Sequence, residues 1–183
     1  MYPMKKKFGT WKLKQLLKTR KRKRKVHNLD TAKSIGILFD ASERKHFNLV
    51  QELYNSLKYP GNDIRVLGYS KHNELLNQYL FKKDFVFFQK KNLNWYGRPV
   101  HEEVERFINR PLDLLIDLSL SEEYHFLFVV ALSLAQFKVG HFTLGHNYYD
   151  MMINVTKKPQ VDYLIEQAGH YLSIINKPYI LVS

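Results

Sequence analysis

Ser34-Ile-Gly-Ile-Leu-Phe-Asp40 and Asp63-Ile-Arg-Val-Leu-Gly-Tyr69 are the two runs whose reading decides the fold. Each is short, nearly all apolar and bounded by polar residues, the pattern of a strand covered on both faces. Between them, Phe47, Val50, Leu53, Tyr54 and Leu57 recur at helical spacing, which predicts an amphipathic helix over Glu43–Lys58. Ser42 stands where an N-cap belongs, and Tyr59-Pro-Gly-Asn62 stops the helix. A strand, a helix and a second strand of this kind make a parallel pair with a right-handed crossover.

The same alternation runs on. Asn73–Phe81 reads as a short helix, Asp84–Gln89 as a strand, Val100–Ile108 as a helix and Leu112–Leu118 as a strand. The longest helix is expected from Ser121 to about Gln136. It is apolar nearly all round from Phe126 to Ala135, so it must be largely buried. Phe137–Thr143 and Met151–Val155 read as strands, Gln160–Ile175 as the last helix and Tyr179–Val182 as a terminal strand. The expected fold class is α/β: a single three-layer, mostly parallel sheet, Rossmann-like or flavodoxin-like.

Composition allows one such domain and little more. The chain has 183 residues, 45% hydrophobic and 14% aromatic, enough for an ordinary core, which excludes disorder throughout. With no cysteine there is no disulfide, no thiolate nucleophile and no zinc site with sulfur ligands. This fits a reducing compartment, and the chain is read as cytoplasmic. The longest apolar run, Phe126–Phe137, is broken by Ser133 and Gln136 and falls short of the roughly 20 residues of a membrane span.

The charge is unevenly placed. Of the 29 Lys and Arg, twelve stand in residues 1–27, which hold no Asp or Glu; the other seventeen are matched by seventeen acids. The formal net charge of +12 therefore belongs to a basic arm on a neutral domain. Residues 1–32 are read as that arm, helical or disordered until bound, and 33–183 as the α/β domain. In the arm, Leu13, Leu16 and Leu17 share one helical face, and Phe8 and Trp11 form an i, i+3 pair beside it. Arg20-Lys-Arg-Lys-Arg-Lys25 is six cations in a row, whose mutual repulsion opposes helix and favours a polyanion partner.

That partner is expected to be a nucleic acid, RNA and in particular ribosomal RNA. Lys5, Lys6, Lys7, Lys12, Lys14, Lys18, Arg20, Lys21, Arg22, Lys23, Arg24 and Lys25 would neutralise phosphates, with Trp11 stacking on bases. A second basic-aromatic stretch, Lys90-Lys-Asn-Leu-Asn-Trp-Tyr-Gly-Arg-Pro99, adds Lys90, Lys91, Trp95, Tyr96 and Arg98. The same arm also has the composition of an anchor for an anionic membrane surface.

Enzyme signatures are scarce. Asp40, Ser42, Asp117, Ser119 and His146 fall at strand ends, where such sheets bind ligands, but Asp and Ser after a strand also serve as helix caps. There is no G-x-G-x-x-G after the first strand, no G-x-x-x-x-G-K-[ST] and no G-x-S-x-G. The eight histidines form no H-x-x-x-H or H-E-x-x-H. Neither a metal nor a cofactor is expected, and the chain reads as a binding protein rather than an enzyme.

Asn94-Trp-Tyr-Gly-Arg-Pro99, Leu112–Leu118 and Ala135-Gln-Phe-Lys-Val-Gly140 together resemble an uncharacterised family of small α/β proteins from Bacteroidota with a basic N-terminal segment. The resemblance spans nearly the whole chain and implies no activity. A narrower likeness runs from Asp113 to Gly140. It is similar to the middle of the N-terminal domain of heptosyltransferase-type glycosyltransferases, which implies an enzyme acting on a phosphorylated or sugar substrate. Those enzymes hold their sugar nucleotide in a second domain, for which there is no room here.

Overall fold

A computed structural model describes residues 3–72, 83–146 and 148–177. Helix α1 spans Pro3–Lys18, strand β1 Ser34–Asp40, α2 Arg44–Leu57, β2 Asp63–Ser70 and β3 Phe85–Gln89. Then come α3 (Glu102–Asn109), β4 (Leu114–Asp117), α4 (Tyr124–Leu132), β5 (Phe137–His141), β6 (Met151–Ile153) and α5 (Val161–Ile174). The expected helix over Asn73–Phe81 and strand over Tyr179–Val182 lie outside the described residues.

Among the described residues the sheet has six strands in the order β3-β2-β1-β4-β5-β6, and every pair is parallel. The chain therefore builds outward from β1 in one direction, returns, and builds outward from β4 in the other. This is the doubly wound, Rossmann-like arrangement, and its topological switch lies between β1 and β4.

Two apolar clusters sandwich the sheet. On one face α2 and α5 bring Phe47, Val50, Leu164, Ala168 and Leu172 against Ile35, Ile37, Ile64 and Ile116. On the other, α3 and α4 bring Val104, Phe107, Phe126 and Val129 against Leu38, Leu67, Phe88 and Leu115. Leu13 of α1 belongs to this second cluster, and Leu16 and Leu17 pack against it. So α4 has the sheet on its inner side and α1 on its outer side. That double cover explains how a helix apolar on every side is accommodated: His125, Phe126 and Phe128–Leu132 are all buried.

Two local expectations are corrected by geometry. Ser42 does not cap α2, which starts after Glu43 without a side-chain cap. Its hydroxyl instead accepts the Lys71 backbone N–H at 3.0 Å, tying the exits of β1 and β2. The helix expected over Ser121–Gln136 is shorter, Tyr124–Leu132. Leu120 takes a left-handed backbone conformation (φ 50°) ahead of it, and after it the Leu134 N–H turns to the Ile108 carbonyl.

Candidate nucleic-acid interface

Helix α1 lies on α4 through contacts set by small and polar residues. Gly9 is buried, and a Cβ there would stand 2.9 Å from the Tyr124 ring and 3.3 Å from the Tyr96 carbonyl. Only glycine allows that approach. Around this contact Tyr124 is held by α1: its hydroxyl donates to the Lys6 carbonyl at 3.0 Å and lies 2.6 Å from the Thr10 hydroxyl.

The 90–99 loop is built by its own asparagines. Asn92 Oδ1 accepts the Gln89 N–H at 2.9 Å around a short 3-10 turn, Lys90–Asn92. Asn94 Oδ1 accepts the N–H groups of Tyr96 and Arg98, at 3.2 and 3.0 Å. Gly97 supplies the left-handed residue (φ 90°) that closes the turn. Arg98 is spent on Glu105 at 2.7 Å, and Tyr96 is buried against the Phe128 ring at 5.9 Å between centroids. Of the loop residues expected to contact nucleic acid, Lys90, Lys91 and Trp95 face outward, whereas Tyr96 and Arg98 hold the loop to the domain.

These two segments, far apart in sequence, meet at the surface. The Phe8 ring lies 4.6 Å from Trp95, 5.2 Å from Tyr96 and 5.4 Å from Trp11, centroid to centroid. Phe8, Trp11 and Trp95 are 37%, 52% and 57% exposed, so their rings form an open aromatic surface rather than part of the core. Lys5 and Lys12 flank Phe8, and Lys7 and Lys14 flank Trp11, at the three- and four-residue spacings that place side chains together on a helix.

Beside this surface a cleft of about 770 Å³ opens at the carboxyl ends of β2 and β3. Lys6, Lys71, Lys90, Glu122, Glu123 and Tyr124 are among the residues that line it. His125 stacks on Tyr69 at 3.9 Å, and burial holds its imidazole well below the usual range, at about 4. Lys71 pairs with Glu123 at 3.6 Å.

The six-cation run divides by direction. Arg20 Nε donates to the Leu132 carbonyl at 2.6 Å. Arg22 Nη1 donates to the carbonyls of Ala135 and Gln136 at 3.1 and 2.9 Å, and Nη2 pairs with Asp150 at 2.7 Å. Lys21, Lys23, Arg24 and Lys25 are exposed, as are Lys6, Lys7, Lys14 and Lys18 of α1. The chain then returns to the domain, with the Lys25 N–H on the Gln136 carbonyl and the Asn28 amide on the Ile175 carbonyl.

The strand-end residues fall into two groups. Asp40 Oδ1 accepts the Ser42 N–H at 2.9 Å, a local turn. Asp117 is buried, accepting the Ser119 N–H at 2.9 Å and the Tyr149 hydroxyl at 2.7 Å. Burial raises the pKa values of both Asp117 and Tyr149. His146 stacks on Tyr148 at 4.8 Å, and Thr143 is hydrogen-bonded to Glu122 nearby. Asp117 and His146 thus share a neighbourhood with His141, while Asp40 stands toward His125 and Lys71. No group of three or more His, Asp or Glu among the described residues is placed to hold a metal ion. Among them, too, no helix is long and apolar enough to cross a membrane.

No sequence signal singled out Lys138, which lies in a strand and is only 2% exposed. Its ammonium sits under the carboxyl end of α4, and only packing reveals that.

A family model described as a family of unknown function (DUF6913) matches residues 5–175, and the chain belongs to that family. No curated protein matches. Among solved structures, the "crystal structure of AibC" is similar at 11% identity with a TM-score of 0.35, over 94% of this chain and 49% of that one. The chain spans about half the length of that structure, and so slight a likeness says nothing about activity.

Proposed function

We propose that this chain binds single-stranded nucleic acid, RNA before DNA, on the face made by α1, the 20–25 segment and the 90–99 loop. One observation carries the reading: Phe8, Trp11 and Trp95 lie with rings 4.6–5.4 Å apart, more than a third exposed, in a field of lysines. Exposed rings offer stacking faces to bases, and the surrounding ammonium groups neutralise the backbone. A duplex hides its base faces, so the aromatic component selects unpaired bases.

The test uses point variants of the full chain. Trp11→Ala and Trp95→Ala remove exposed rings and leave the core untouched. Each is expected to weaken binding of an unstructured oligoribonucleotide by about tenfold. In the wild type, binding is expected to quench tryptophan fluorescence. Unchanged affinity in both variants would refute the reading. Binding to anionic vesicles that RNA fails to displace would favour a membrane surface instead. The ribosomal assignment has its own measurement: co-sedimentation with ribosomes that Trp11→Ala and Trp95→Ala both reduce.

A further inference from the structure

We propose that the bay between residues 20–24 and the carboxyl end of α4 is a binding site for a phosphate-type oxyanion, with Lys138 at its floor. The inference is independent of the nucleic-acid reading, because a small oxyanion can fill the bay whether or not any strand binds.

The bay has a volume of about 530 Å³, and five basic side chains line it: Arg20, Lys21, Arg22, Arg24 and Lys138. Asp150 is the carboxylate that ion-pairs there, 2.7 Å from Arg22 and 3.8 Å from Arg24. Positive charge is therefore in large excess. Part of that excess is offset by the carboxyl end of α4. Lys138 Nζ donates to the carbonyls of Val130 and Ala131 at 2.6 and 3.3 Å, and Arg20 Nε takes that of Leu132. The carboxyl end of a helix favours cations in this way. Capping accounts for Lys138 and Arg20, but not for Lys21 and Arg24, which donate to no carbonyl among the described residues.

The donors that remain suit an oxyanion. An ammonium has three N–H groups and Lys138 spends two, so one is left. Arg22 keeps its Nε–H and one Nη2–H after bonding two carbonyls and Asp150. Its guanidinium is already held in place by those bonds, so binding costs little ordering. A tetrahedral oxyanion accepts several such bonds at once and supplies the negative charge the bay lacks.

Around the Lys138 ammonium, Arg20, Arg22 and Arg24 are repulsive and Asp150 is attractive, while Tyr148 lines the same bay. Arg20 also feels Glu105 from its far side. Burial, reinforced by those arginines, holds the Lys138 pKa down at about 7. A bound anion favours the charged ammonium, so binding above pH 7 takes up a proton. Affinity then falls as pH rises through 7.

Pyrophosphate is the probe, titrated calorimetrically into the full chain at low salt in two buffers of different ionisation enthalpy. The expected results are saturable one-to-one binding, proton uptake at pH 8, and about tenfold weaker binding in Lys21→Gln/Arg24→Gln with unchanged thermal stability. Lys138→Met is expected to abolish the proton uptake. Should that buried substitution prevent folding, the exposed double variant still decides. No saturable binding, or equal binding by the double variant, overturns the site. An oligoribonucleotide that competes with pyrophosphate assigns the oxyanion to a strand's backbone. One that binds without competing assigns it to a small phosphorylated molecule.

Discussion

Arg20 and Arg22 stand in one uninterrupted run with Lys21 and Lys23, yet they do opposite work. The arginines face the domain: Arg20 satisfies a carbonyl at the carboxyl end of α4 and Arg22 two carbonyls just ahead of β5, while the lysines face water. A guanidinium reaches two carbonyls at once, which an ammonium on a flexible stem does less well. That division was not legible in the run itself, where all six residues read alike. His125 is a second residue whose role only packing shows. Its ring is 3% exposed against Tyr69 and Phe126, and burial lowers its pKa to about 4. Below its ordinary value of 6.5 the unfolded chain takes a proton that the folded one refuses. The stability is therefore complete above pH 6.5 and is lost as pH falls toward 4. Urea unfolding of wild type against His125→Phe isolates the effect. The wild type is expected to lose roughly 3 kcal/mol more than the variant across that window.

Among the elements, α1 and α4 depend on each other. The all-round apolar character of α4 is a sequence property, and it correctly announces burial. What covers its outer side is not local information: the cover comes from a helix more than 100 residues earlier, with Leu13 3% exposed in the shared cluster. Leu13→Ala is expected to cost about 2–4 kcal/mol in chemical unfolding, with loss of cooperativity if α1 detaches. A free arm would tolerate the change. For the same reason, deleting residues 1–27 tests folding as much as binding, because it strips α4 of its cover. Most strands and helices were legible to within a few residues. The helix over 124–132 was the main overreach, since Leu134 and Gln136 turn away to bond Ile108 and Leu112. Apolar character continued past the point where hydrogen bonding stopped.

Over the whole molecule, the uneven charge becomes a one-sided surface. The arm's lysines, the exposed rings and the 90–99 loop occupy the side of the sheet that carries α1, α3 and α4. If that surface meets a nucleic-acid backbone, each contacted phosphate contributes about 0.7 to the salt slope for a single strand. Replacing Lys21, Lys23 and Lys25 together by Gln is expected to flatten the plot of log affinity against log salt by about 2. A slope unchanged by the triple substitution would place the 20–25 run off the binding surface.

The sequence by itself determined the α/β class, the parallel pairing and the segregation of charge into the first 27 residues. Those properties follow from local periodicity and composition, which need no knowledge of neighbours. Only the tertiary structure decided that Phe8 meets Trp95, that two of six consecutive cations turn inward, and that Lys138 lies beneath a helix end ringed by arginines. Each of these joins residues far apart in the chain. Such meetings are set by which apolar faces must cover one another, and no single stretch of sequence carries that information.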